Sequence, residues 1–346
     1  MDVSVECLTS DQELQRTAQA ALETGGDVDA CLRLAVGLGH ALPSPGDGYT
    51  RYLWETLAAI AAEDVTAARV VEPHLDALAI LAQAASDDYA PEVDAPASST
   101  WGVFAAEQPG TELTATHTSR GWMLNGTKPW CSLAGKLTHA LVTAWLANGD
   151  RQLFAVTLDD RGITIPAHTW QATGLAAVTS GPVEFVQVPA VPVGAPGWYL
   201  KRSGFAWGGM GVAACWWGGA SGVARTMLQR YAAKDPDQVG SLHVGAVDSA
   251  LYAGQLALRH AAEAVDAGRA TGDEGALLES RTRTIVAGSA ETVIHHVAHA
   301  LGPAPLALDA AHARRVADLS LYIRQHHGER DVAGQGRMVL DQVVSW

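Results

Sequence analysis

The residues best able to do chemistry sit in the stretch NGTKPWCSLAG, Asn125 to Gly135. Asn125 and Gly126 tolerate positive φ, and an Asn-Gly pair is the turn signal of a β-hairpin. Lys128 precedes Pro129 and is therefore biased to extended backbone. The pattern sets Trp130 at a strand end, with Cys131 and Ser132 next to it. A flat aromatic beside a small hydroxyl suits a flat heteroaromatic ligand, since the indole can wall the ring and the hydroxyl can bond a ring nitrogen. The same residues also describe a buried hairpin tryptophan followed by a turn serine. The stretch alone leaves both readings open.

Histidines form the second group. His295 and His299 in HHVAH have the i, i+4 spacing of metal ligands. No third ligand or general-base glutamate accompanies them, so a polar helix face near a subunit or cofactor contact is the better reading and no metal is expected. His326 and His327 precede Gly328. That arrangement fits a helix C-terminus, where a histidine complements the dipole and glycine caps the end. It also fits a functional role, which the spacing alone does not specify. Cys7, Cys31, Cys131 and Cys215 are scattered with no C-x-x-C pair, which indicates reduced thiols rather than a disulfide framework or zinc site.

These groups must be positioned by a chain of 346 residues, long enough for two or three packed units. With 48% hydrophobic and 17% charged residues it is not a disordered polymer. A net charge of −14 argues against a general nucleic-acid binder. The N-terminus MDVSVECLTSDQELQR has neither a basic nor an apolar region, so no export signal is expected and the cytoplasm is the expected location. Residues 203–224 carry no charge over a length able to cross a bilayer. They are rich in glycine and alanine and no second span accompanies them, so a tightly packed buried helix is expected instead.

The periodicity divides the chain into three. Residues 1–97 place apolar side chains at helical spacing, and SDDYAPEVDAPASST then reads as a linker. Residues 98–200 hold short β-rich runs between Gly, Pro and Asp, as in a small barrel or sandwich. Residues 201–346 return to long helices. Val247, Leu251, Leu258, Ala262 and Val265 share one face; Val286, Ala290, Val293, Val297 and Ala300 share another; Val316, Leu319 and Ile323 share a third. The expected fold is α+β and multidomain: an N-terminal helical domain, a central β-barrel-like domain and a C-terminal four-helix bundle.

This order, together with several motifs, resembles the acyl-CoA dehydrogenase family of flavoproteins. FAAEQPG is similar to the family's aromatic-x-x-Thr-Glu-Pro-Gly segment, and LNGTKPWCS to its Leu-Asn-Gly-x-Lys-x-Trp-Ile-Thr segment. GLAAVTSGPVEFVQVPAVPVGAPG resembles the stretch that closes the family's β-domain, and RRVADLSLYI its last Arg-Asp helix. The resemblance implies one FAD per subunit. Trp130 would wall its ring, Ser132 would bond near the reactive nitrogen, and Phe104, Ala106 and Glu107 would lie against it. HALGPAP resembles a loop that reaches a neighbouring subunit's cofactor, which would place His299 and Gly302 there. Lys234 stands near the arginine that normally reaches the partner's phosphates. A homodimer or homotetramer, or a heteromeric assembly, is implied.

The departures bear on function. The Gly-Ser-Asp that cradles the cofactor pyrophosphate is replaced by PGTELT. The loop glutamine is His299 and its second glycine is Pro303. The family's catalytic glutamate is not found after the Arg-Asp helix, where His326 is nearest by count, nor on the first bundle helix. Three functions follow from the resemblance. The first is an FAD-dependent dehydrogenase oxidising an acyl thioester such as an acyl-CoA at the α,β position, with an electron-acceptor flavoprotein. The second is a flavin-dependent monooxygenase using oxygen. The third is a non-catalytic subunit or scaffold that has lost efficient FAD binding.

Overall fold

A computed structural model describes residues 11–87 and 93–342. Cys7 and parts of the expected N-terminal stretch and linker lie outside the described residues. Four helices open the chain: α1 (Asp11–Glu23), α2 (Val28–Ala41), α3 (Thr50–Glu63) and α4 (Val65–Ser86). Aspartates set two of the starts. Asp27 accepts the Ala30 N–H and Asp64 the Ala67 N–H, each satisfying a first-turn donor.

The strands are β1 (Trp101–Phe104), β2 (Leu113–Thr118), β3 (Gly121–Lys128), β4 (His139–Trp145), β5 (Arg151–Thr157), β6 (Ile163–Thr164) and β7 (Val183–Val193). In order β4, β2, β3, β7, β5 and back to β4 they close a five-strand barrel, with β1 added parallel to β4 and β6 antiparallel to β7. Its interior is filled by Phe104, Leu124, Val142, Phe154 and Phe185. The Asn125-Gly126 hairpin turn expected from the sequence is corrected here. Both residues lie inside β3, opposite Thr114 and Leu113, and the β2–β3 turn falls at residues 119–120. Gly126 spends its φ of +121° on a bulge where β3 shifts register against β7. A Cβ there would lie 2.1 Å from the Glu112 carbonyl oxygen.

The remaining helices are α5 (Trp198–Lys201), α6 (Ser203–Ala233), α7 (Gln238–Asp266), α8 (Gly272–Leu301), α9 (Ala304–Leu308), α10 (Ala310–Tyr322) and α11 (Glu329–Asp341). The expected bundle is present as three long helices, with the shorter α10 and α11 packed beside them. Val247, Leu258, Val265, Val286, Val293, Val297 and Leu319 are all buried in one core, as their spacing requires. The glycines of α6 serve close approach to α3. A Cβ on Gly218 or Gly222 would stand 2.1 or 2.3 Å from the carbonyl oxygen of Ala58 or Ala62. Among the described residues no helix is long and apolar enough to cross a membrane.

Helix α4 joins the layers. Its first half shares a core with α3, α6 and α10, and Ala77, Ile80 and Ala84 pack on Trp101, Leu141 and Leu153 of the barrel. His74 accepts the Trp101 N–H at 3.2 Å, and burial lowers it to a pKa of about 4, so it stays neutral. Asp318 of α10 accepts from the Leu175 N–H and, at 3.0 Å, from Thr66 Oγ1. One carboxylate thereby ties the loop before β7 to α4 and α10. Any polar residue on the middle turns of α4 is held between barrel and bundle.

Candidate functional site

The segment after β3 is strained. Trp130 and Leu133 have φ of +59° and +58°, a left-handed conformation that costs a bulky residue about 1–3 kcal/mol. Neighbouring hydrogen bonds impose it. Cys131 N donates to the Gly181 carbonyl at 2.9 Å and Leu133 N to Thr179 at 2.7 Å. Cys131 is buried, with its thiol pointing back to the Lys128 carbonyl. Trp130 is 54% exposed, so the buried-tryptophan reading is corrected. The barrel holds this indole out of its own core.

Ser132 begins a polar chain with a fixed direction. Arg69 Nη2 donates to Ser132 Oγ at 3.0 Å. The Ser132 and Ser180 hydroxyls are 2.8 Å apart, and Ser180 gives its hydrogen to the Val178 carbonyl at 2.9 Å. Ser132 must then donate to Ser180, because each hydroxyl owns one hydrogen. What Ser132 retains for a ligand is a lone pair.

Arg69 also faces inward. Its Nη1 lies 3.9 Å from Glu72 Oε2, and its guanidinium covers the Tyr322 ring at 5.6 Å. The Tyr322 hydroxyl donates to Glu72 Oε2 at 3.3 Å. Burial raises the Glu72 carboxyl to a pKa of about 7, with Arg69 opposing the shift and Asp76 adding to it. One turn on, burial also raises Asp76, against the opposing charge of Arg202. Two adjoining cavities, about 320 and 60 Å³, run between α4, the 43–47 loop and the start of α6. Asp76 and Trp207 line both, and Glu72 lines the smaller. A carboxyl titrating near neutrality in a cavity wall can take up or release a proton there.

The family description "Acyl-CoA dehydrogenase, middle domain" matches residues 103–188, the barrel and its approach. The chain has the acyl-CoA dehydrogenase fold, and its barrel matches that family's middle domain. Solved structures of similar fold span almost its whole length. KijD3, in complex with FMN and dTDP-3-amino-2,3,6-trideoxy-4-keto-3-methyl-D-glucose, is 18% identical with a TM-score of 0.79, over 99% of this chain and 96% of its own. TdsC from Paenibacillus sp. A11-2, with FMN and indole, is 16% identical with a TM-score of 0.75, over 95% and 96%. XiaF from Streptomyces sp., with FADH2 and glycerol, is 16% identical with a TM-score of 0.74, over 94% and 93%. No curated protein matches the sequence.

Within this acyl-CoA dehydrogenase fold the other expected site residues are dispersed. Phe104 is buried in the barrel core, and Ala106 is exposed beyond β1. Glu107 is 2.7 Å from Lys128 Nζ and 3.0 Å from Arg151 Nη2, serving as counter-charge to a lysine only 1% exposed. Lys234 is exposed at the end of α6. Gly302 closes α8, and His299 lies over His295 with ring centres 4.1 Å apart, beside His243 and His296. Among the described residues no group is arranged to hold a metal ion. His326 is buried, its Nε2 3.2 Å from Thr284 of α8 and its Nδ1 accepting the Gly328 N–H. Burial lowers its pKa, which keeps the ring neutral.

The stretch PGTELT is folded on itself. Thr111 gives both its N–H and its hydroxyl to the Gln108 carbonyl, and the Glu112 carbonyl accepts from Thr127 N. The Thr111 N–H is therefore not available to a phosphate. Sequence reading missed Arg69, Glu72 and Asp76, although RVVEPHLD places charges inside an otherwise apolar helix. That mismatch was the available signal.

Proposed function

We propose that this chain is a flavin-dependent oxidoreductase that binds reduced flavin and oxidises a small organic substrate with oxygen. The observation that carries the reading is Trp130, a half-exposed indole held at positive φ beside a hydroxyl that can only accept. The residues fit the ring: Trp130 offers a face to wall it and Ser132 a lone pair for a ring N–H. When bound, a flavin supplies hydride transfer in its oxidised form and oxygen activation in its reduced form. An acceptor hydroxyl suits the reduced ring, whose central nitrogen carries hydrogen. The bound states of KijD3, TdsC and XiaF, with FMN or FADH2, support a flavin in this fold. The self-bonded 108–111 turn gives least support to the diphosphate of FAD.

The chain's own residues set the rest. Arg69 fixes the direction of the Ser132 hydroxyl and places a positive charge between it and Glu72. Glu72 holds or accepts the substrate proton at a carboxyl buried from bulk water. Tyr322 and the Arg69 guanidinium keep that carboxyl in one position. Acyl-thioester oxidation is the second reading, favoured by Glu72 as a carboxylate base in the wall of a cleft.

The test is anaerobic titration of the protein with oxidised and reduced FMN and FAD. Tighter binding of reduced than of oxidised flavin, weakened by Trp130→Ala, is the expected result. No uptake of either redox form would overturn the oxidoreductase reading. Preference for the oxidised form, with bleaching by an acyl-CoA, would replace it with the dehydrogenase.

A further inference from the structure

Ser180 is registered against Ser132 by the backbone on either side of it. Cys131 N donates to the Gly181 carbonyl at 2.9 Å and Leu133 N to the Thr179 carbonyl at 2.7 Å. The neighbours of Ser132 are thus paired with the neighbours of Ser180, and the two hydroxyls face each other at 2.8 Å. Neither segment can slide past the other without breaking both backbone bonds.

The loop that carries Ser180 is also pinned from behind. Asp318 Oδ1 accepts the Leu175 N–H, and Leu175 has a left-handed φ of +50°. The Leu175 carbonyl accepts from Trp170 Nε1 at 3.1 Å and from Val178 N at 2.9 Å. Gly174 lies against α10, where a Cβ would stand 2.1 Å from the Ala317 carbonyl oxygen. These contacts fix the Val178 carbonyl, which takes the Ser180 hydrogen at 2.9 Å.

A count of hydrogens then gives Ser180 a role. Ser132 Oγ has one hydrogen and two lone pairs. Arg69 occupies one lone pair and Ser180 takes the hydrogen. Without the Ser180 oxygen, Arg69 would still hold the Ser132 hydroxyl, but its hydrogen would be released toward a ligand. The same side chain would then donate where it now only accepts. The central nitrogen of an oxidised flavin is an acceptor, and that of the reduced ring carries hydrogen. A donor favours the first ring and a lone pair the second.

We propose that Ser180 is a positioning residue that sets the redox preference of this site: by taking the Ser132 hydrogen it makes the site select reduced over oxidised flavin. This rests on the flavin reading and names the group that controls it. Ser180 acts through Ser132 and needs no contact with the ring.

The experiment is anaerobic equilibrium binding of oxidised FMN, reduced FMN and 5-deaza-FMN, in which carbon replaces the central nitrogen. The parent is expected to bind oxidised FMN and 5-deaza-FMN alike and reduced FMN more tightly. In Ser180→Ala, oxidised FMN is expected to gain about tenfold relative to both 5-deaza-FMN and reduced FMN. Ser180→Thr keeps the acceptor oxygen and is expected to restore the parent ratios. A merely structural role would weaken all three ligands together and leave the ratios alone. Unchanged ratios in Ser180→Ala, or ratios in Ser180→Thr that match Ser180→Ala, would overturn the proposal. If Ser180→Ala does not fold, Ser180→Cys takes its place, since a thiol is a weak acceptor; the same shift is expected, and unchanged ratios overturn the proposal. Uptake by the parent tests the flavin reading by itself. A parent that binds flavin with ratios indifferent to Ser180 sinks this inference alone, whereas a parent that takes up no flavin sinks both.

Discussion

Arg69 donates to the Ser132 hydroxyl at 3.0 Å and stands 3.9 Å from the Glu72 carboxylate, so one guanidinium joins the barrel's exposed platform to a buried acid on α4. The relationship has a direction. Arg69 lowers the Glu72 pKa while burial raises it. Arg69→Gln is therefore expected to move the Glu72 midpoint above its value of about 7, read by the carboxyl resonance in NMR or by the pH dependence of turnover. An unmoved midpoint would show that the two groups are not coupled.

Glu72 also makes stability depend on pH. Its folded pKa is raised, so the folded state binds the proton more tightly than the unfolded chain. The resulting stabilisation is full below the ordinary carboxylate range and is lost as pH rises through about 7. Over that window the parent should lose up to about 3 kcal/mol relative to Glu72→Gln, which has nothing to ionise. Urea melts of both proteins at about pH 5 and 8 measure the difference. Parallel stabilities at the two values would place the Glu72 titration elsewhere.

Trp130 separates stability from binding. Replacing it by glycine removes a left-handed φ of +59° from a bulky residue. Folding stability should rise by about 1 kcal/mol. Flavin affinity should fall, because a stacking face is worth about 1–3 kcal/mol to a planar heterocycle. Opposite signs from one substitution mark a residue held in place for a ligand. Loss of both stability and affinity would mark it as ordinary packing.

Helix α6 offers a fold test. Gly218 stands so close to Ala58 that a Cβ would lie 2.1 Å from its carbonyl oxygen. Gly218→Val must push α3 and α6 apart, at about 1–3 kcal/mol or more. The thermal midpoint should drop by several degrees. The exposed Gly245 on α7, with open space around it, should accept alanine without loss.

The architecture was legible because its signals are local and repeated. The buried faces of α7 and α8 follow from spacing alone, and the glycines of α6 announced a close helix contact. Asn125-Gly126 misled, because the same tolerance of positive φ serves a bulge as well as a turn. Trp130 and Ser132 were legible as a pair, but not their exposure or the direction of their bonds. Those depend on residues remote in sequence: Gly181 and Thr179 impose the strain, and Arg69 orients Ser132. Glu72 escaped notice for the same reason. Its altered acidity comes from burial, and the Tyr322 hydroxyl that holds it lies 250 residues away along the chain.

Two groups compete for the role of proton acceptor, and the structure gives them different neighbours. His326 was the residue nearest the family's glutamate by count. Its recorded partners are Thr284 on α8 and its own turn at Gly328, and Thr284 in turn bonds Gln335 of α11. Glu72 faces the cleft and the Arg69–Ser132 chain. If Glu72 is the acceptor, Glu72→Gln should cut turnover by about 10²-fold or more and abolish its rise through neutral pH. His326→Ala should then lower stability through the lost Thr284 contact while leaving that pH profile in place. The reverse pattern, a lost pH dependence in His326→Ala with Glu72→Gln like the parent, would assign the base to His326.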